Sequence, residues 1–130
     1  DLIVSNPPYF VNSLPPVEKK RSTARHTSQL SFNELLQSVS RLLHPDGQFA
    51  VILPYQEALQ FQSLAKAFNL HSSRQCAFRS RPGKPVERLL MEFVFSVADP
   101  IREELVLYAE GDRWSDEYCA ITGDFYLNVP

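Results

Sequence analysis

The chain has 130 residues, 44% of them hydrophobic, with a formal net charge of −2, enough for a core that buries about two-thirds of the unfolded surface. No apolar stretch reaches the 18 or so residues of a membrane span. The two cysteines, Cys76 and Cys119, lie far apart and lack His/Cys metal-ligand spacing, so they read as reduced thiols in a cytoplasmic protein, and neither a disulfide framework nor a metal site is expected. The charge is unevenly spread. Residues 1–95 carry eleven Lys/Arg against seven Asp/Glu, and residues 96–130 carry two against eight. A basic front half suits phosphates, although a merely solvated surface explains the imbalance as well.

The first predicted element is a strand, Leu2-Ile3-Val4, that runs into Asn6-Pro7-Pro8-Tyr9. Prolines cannot donate to a β-ladder, so the strand must stop there. Asn6 precedes a proline and is held extended, its amide projecting past the strand end. Ligands of open α/β sheets bind beyond the carboxyl ends of strands. The sequence thus offers a rigid loop bearing an amide, exposed carbonyls and an aromatic ring at such an end. This set suits the exocyclic amine of adenine, a weak nucleophile whose lone pair is delocalised into the ring. The Asn6 side-chain oxygen and the Pro7 carbonyl can accept its two N–H hydrogens and aim the lone pair at an electrophilic methyl group. Tyr9, with Pro8 and Phe10 beside it, would stack on the base, which must first be flipped out of any helical stack.

Residues 10–30 show no periodicity and contain Lys19, Lys20, Arg21 and Arg25. They read as a long loop, with these four cations as candidate phosphate contacts at the rim of the site or as a solvated surface. Ser31 and Glu34 form a capping box, and Phe32, Leu35, Leu36, Val39, Leu42 and Leu43 follow at helical spacing. His44-Pro45-Asp46-Gly47 ends that helix, with His44 a helix-end residue rather than a ligand. Phe49–Leu53 is a continuous apolar run, expected to be a strand buried on both faces. A second helix spans about 56–69, with Phe61, Leu64, Ala65 and Phe68 on one face. Strands follow at about 71–79 and 86–97. Between them, Arg79, Arg81, Lys84 and Arg88 form either a second phosphate-facing patch or a solvated turn, the turn being slightly favoured. The tail adds a strand near 104–109 and a short helix from about Ser115, capped by Ser115-Asp116-Glu117. Phe125-Tyr126-Leu127 is expected to pack on the domain. The order β–α–β–α–β–β defines an α/β fold with a mixed sheet whose last two strands form a terminal antiparallel pair.

Asn-Pro-Pro-Tyr after an apolar strand resembles the catalytic motif of S-adenosylmethionine-dependent amino-methyltransferases. The resemblance is closer to the bacterial tRNA1(Val) adenine-N6 methyltransferases, through Asn6–Phe10, Ala24-Arg25-His26-Thr27, Leu53-Pro54-Tyr55-Gln56, Arg88-Leu89-Leu90, Tyr118 to Thr122 and Phe125-Tyr126-Leu127. It implies the C-terminal half of a Rossmann-like class I fold. It also implies S-adenosylmethionine as cofactor, tRNA as partner, and methylation of the adenine 3′ of a valine anticodon. Asn6, Pro7 and Tyr9 would be catalytic, and Pro8, Phe10 and the four loop cations substrate-binding. The glycine-rich loop that holds the cofactor is missing: Gly47, Gly83, Gly111 and Gly123 are scattered. Residues 1–130 are therefore expected to be the acceptor-side part of one catalytic domain whose cofactor-binding half lies upstream. Of the cofactor contacts, Asn6 alone is a candidate here. Such a piece is expected to be inactive and prone to self-association. Alternative readings are a protein-glutamine methyltransferase, a ribosomal guanine methyltransferase, or a non-catalytic RNA-binding domain of the same fold.

Overall fold

The computed structural model describes residues 1–7 and 32–125. Strand β1 is Leu2–Ser5 and a helix, α1, covers 32–42. Strand β2, Gln48–Pro54, leads directly into α2, Tyr55–Ala65, which tightens into a 3₁₀ turn over Lys66–Phe68. Asn69 closes it in the left-handed region at φ 60°. Strands β3, His71–Arg79, and β4, Arg88–Val94, are followed by β5, Ile101–Val106. A small hairpin of β6, Tyr108–Glu110, and β7, Arg113–Trp114, then precedes α3, Asp116–Thr122.

The main sheet has the order β1-β2-β4-β3-β5. β1 and β2 are parallel, β4 is antiparallel to both β2 and β3, and β5 is parallel to β3. Four strands therefore end on one edge of the sheet, and β4 begins there. The expected antiparallel pair is present as β3 and β4, but β5 adds beyond β3, so the pair is internal to the sheet.

One face holds the core. Register aligns Phe49 with Phe93, Val51 with Met91 and Leu53 with Leu89, all buried. Both long helices lie on this face. Phe61 of α2 sits at the centre of an aromatic cluster, with ring centroids 5.3 Å from Phe32, 6.1 Å from Phe49 and 5.8 Å from Phe93. Phe32, Leu36, Val39 and Leu43 form the buried stripe of α1. Leu42 is 76% exposed, because at 3.6 residues per turn it falls about 90° from the centre of that stripe. The capping-box serine, Ser31, lies outside the described residues.

The opposite face is only partly covered, which corrects the expectation that β2 is buried on both sides. Ala50 and Ile52 are half-buried, Leu90 is exposed, and Leu2 and Val4 are 63% and 69% exposed. The reason is topological: among the described residues, α1 and α2 pack on the same face and only short α3 reaches the other. There Tyr118 meets Phe78 with ring centroids 6.2 Å apart and Trp114 at 5.0 Å. Leu90 and Val94, which blur the alternation of β4 in the sequence, are its residues on this open face. Across it Arg74 bridges strands, donating to Glu103 on β5 at 2.5 Å and lying 3.9 Å from Glu92 on β4.

Two further expectations change. The tail strand is split at Leu107, whose N–H still reaches Arg79 on β3 at 3.0 Å while its carbonyl accepts from Ser115 N–H at 2.7 Å. That second bond turns the chain out of the sheet into the hairpin. Phe125 is 84% exposed rather than packed, in the turn after α3 where its N–H donates to the Thr122 carbonyl at 2.9 Å; Tyr126 and Leu127 lie outside the described residues.

Candidate active site at the carboxyl edge of the sheet

Ser5 is the last ladder residue of β1 and pairs with Val51. Asn6 follows, exposed, and Pro7 is buried. β2 continues from Val51 to Pro54, three residues or about 10 Å beyond the end of β1. Asn6 and Pro7 therefore sit in a step of the sheet edge, with the end of β2 rising as a wall beside them. The burial of Pro7 anchors the step, and the prolyl ring restricts Asn6 to extended backbone. Asn6 is exposed directly past the last ladder residue of β1.

The base of β1 is held by a tight approach. Gln48 N–H donates to the Asp1 carbonyl at 3.0 Å, and Gly47 lies under the same carbonyl. A Cβ on Gly47 would stand 2.7 Å from Leu43 Cδ1 and 3.0 Å from both the Asp1 and His44 carbonyl oxygens. His44 is a turn residue as expected, its Nδ1 accepting from Asp46 N–H at 3.1 Å.

The turn between β3 and β4 lies on the same edge as Asn6, a placement that sequence reading left open. It is stitched to the start of α2: Tyr55 N–H donates to the Glu87 carbonyl at 3.0 Å, and Glu87 N–H to the Phe78 carbonyl at 2.9 Å. Arg79 and Arg81 are engaged within the protein. Arg79 donates to the Lys84 carbonyl at 2.6 Å and to Glu104 at 2.9 Å. Arg81 donates to the Gly111 carbonyl, reaches Asp112 at 3.4 Å and lies over the Tyr108 ring at 4.5 Å. Lys84 is exposed at the tip, next to Gly83 at φ 78°. Arg88, opposite Pro54 in the register, is half-buried at the start of β4. Tyr55, exposed to 36%, tops the wall beside Asn6; its place at a strand-to-helix junction is the signal that could have singled it out.

Of the residues named from sequence, Asn6 and Pro7 come together at this edge. Pro8, Tyr9, Phe10, Lys19, Lys20, Arg21 and Arg25 lie outside the described residues. Among the described residues no cluster of three or more His, Cys, Asp or Glu could hold a metal, and no helix is long and apolar enough to cross a membrane.

A nucleotide-type cofactor needs a loop where its phosphate or ribose can approach the backbone. Gly47, Gly83 and Gly111 each serve a separate turn, and Gly123 ends α3. The described residues therefore do not fit the main seat of such a cofactor.

The electrostatics of the open face are local. The hydrogen bond from Arg74 holds the Glu103 carboxyl below its usual range and raises the Arg74 guanidinium. Burial pushes the Cys76 thiol up, which disfavours a reactive thiolate.

The fold is shared with a solved protein: a crystal structure of a predicted O-methyltransferase from Agrobacterium tumefaciens superposes with a TM-score of 0.68 at 13% identity, over 99% of this chain and 53% of that one. The sequence is more specific. The chain is 43% identical over 129 residues to a tRNA1(Val) (adenine(37)-N6)-methyltransferase from Bacteroides fragilis. It is 37% identical over 128 residues to one of the same name from Yersinia pestis. The matches take in 99% and 98% of this chain but 54% and 52% of those proteins, so the chain spans about half the length of the curated relatives it matches and corresponds to their C-terminal part. No family model matches it.

Proposed function

We propose that this chain is the acceptor-side part of an S-adenosylmethionine-dependent tRNA adenine-N6 methyltransferase, acting on the adenine 3′ of the anticodon in a valine tRNA. The observation that carries the reading is the step at the carboxyl edge, with Asn6 exposed directly past β1 and Pro7 buried behind it. In this reading the adenine amine donates one N–H to Asn6 Oδ1 and the other to the Pro7 carbonyl. Both acceptors favour a tetrahedral nitrogen whose lone pair points out of the base plane. No strong base is required before transfer, since the amine proton is lost to water once the nitrogen is alkylated. Tyr9 covers the base, with Pro8 and Phe10 beside it, and Lys19, Lys20, Arg21 and Arg25 hold backbone phosphates. S-adenosylmethionine supplies the electrophilic methyl group, held by residues outside the described set. The names of the relatives support adenine N6 and tRNA over the guanine and glutamine alternatives.

The test is nucleoside mass spectrometry of tRNA after incubation of the full-length protein with S-adenosylmethionine. N6-methyladenosine in a valine tRNA is the expected product. Methylguanosine in ribosomal RNA, or methylglutamine in a protein substrate, would replace this reading with one of its alternatives.

A further inference from the structure

Arg79 makes the β3–β4 turn a built feature. Its guanidinium reaches the Lys84 carbonyl and Glu104 at once, and Lys84 N–H closes onto the Arg81 carbonyl at 3.2 Å. The turn is fixed at its base by the bond from Tyr55 N–H to the Glu87 carbonyl. With Arg79 and Arg81 engaged by Glu104 and Asp112, the turn presents Lys84 as its outward cation.

Tyr55 lies between this turn and the step that holds Asn6. Because β1 and β2 are neighbours and Tyr55 starts three residues past the level of Asn6, the two Cα positions are about 11 Å apart. That separation exceeds the reach of a single base and corresponds to the next nucleotides of a strand. Bases stack on aromatic rings whatever their sequence, and ammonium groups attract phosphates.

We infer that Tyr55 and Lys84 form a rim that holds the RNA strand flanking the target adenine, Tyr55 stacking on a neighbouring base and Lys84 contacting a phosphate. The inference rests on the reading of the chain as a tRNA methyltransferase. It adds to the candidate loop cations a second contact, carried by a turn that Arg79 and Glu87 tie into the fold. Both residues act in holding the strand rather than in the chemistry at the amine.

The experiment is binding of a valine tRNA transcript to the full-length protein over a series of salt concentrations. Lys84→Ala is expected to reduce the log–log salt slope by about one unit, and Lys84→Arg to restore it. Tyr55→Ala and Tyr55→Leu are expected to weaken binding about five- to hundredfold with the slope unchanged, and Tyr55→Phe to bind as wild type. Any non-proline residue at 55 keeps the backbone tie to Glu87, so thermal melts of these variants should match wild type. Wild-type slope in Lys84→Ala together with wild-type affinity in Tyr55→Ala and Tyr55→Leu would overturn the rim while methylation by wild type upholds the function. A wild-type protein that neither binds nor methylates tRNA would overturn both.

Discussion

The two faces of the sheet divide the tasks of the molecule. On one, α1 and α2 bury Phe49, Phe61 and Phe93 in mutual contact. On the other, Leu2 and Val4 stay largely exposed and the polar bridge Arg74–Glu103 spans the strands. The candidate site belongs to neither face but to the edge where four strands end. The exposed side chains at that edge, Asn6 and Lys84 among them, lie outside the core, so they are free to be chosen for chemistry. Substitutions should therefore separate: those on the covered face reduce stability, and those at the edge reduce function.

The largest effect is expected from Phe61→Ala, which removes the centre of the aromatic cluster and should cost about 3–5 kcal/mol of stability, read by chemical denaturation. A loss below 1 kcal/mol would mean that the cluster repacks and that the contrast between faces is weaker than drawn. Next comes Asn6→Ala in the full-length protein. It should cost about 2–4 kcal/mol of transition-state stabilisation in single-turnover methylation, by analogy with removing one oxyanion-hole donor, while shifting stability by no more than about 0.5 kcal/mol. A stable variant with near-normal turnover would remove Asn6 from the site.

Gly47→Ala should destabilise by about 1–3 kcal/mol, since its Cβ meets two backbone carbonyls that cannot swing away. This change also sharpens the comparison, because Gly47 anchors β1 at the opposite end from Asn6. Ser115→Ala should cost about 1 kcal/mol: Ser115 Oγ accepts from Tyr118 N–H at 3.1 Å and donates to the Val106 carbonyl. Denaturant midpoints measure both.

The smallest effect concerns pH. Glu103 titrates below its usual value because Arg74 donates to it. Its stabilising contribution is therefore present above the unfolded-state carboxylate pKa and is lost as pH falls through the lower folded value. Both groups are solvent-exposed, so the loss should be slight. Glu103→Gln should flatten this part of the stability profile at acid pH; an identical profile in the variant would assign the acid sensitivity to other carboxylates.

Much of the fold was legible because its signals are local. The Asn-Pro-Pro run dictates where β1 stops, since two prolines cannot continue a ladder. The periodicity of 32–43, the apolar run 49–53 and the cap at Ser115 each specify an element through neighbouring residues alone. The position of Asn6 at a strand end follows from the same local chemistry. Nonlocal matters required the tertiary structure. The sequence of β2 reads as a strand buried on both faces, yet both helices pack on one side of it, and nothing in Phe49–Leu53 encodes which side a helix will choose. The four cations near the β3–β4 turn look alike in sequence. Pairing with β5 and the β6–β7 hairpin engages Arg79 and Arg81 and leaves Lys84 outward, because Glu104, Asp112 and the Gly111 carbonyl arrive from 25 to 31 residues away. Composition and spacing name the residues able to do chemistry; strand order decides which of them share an edge.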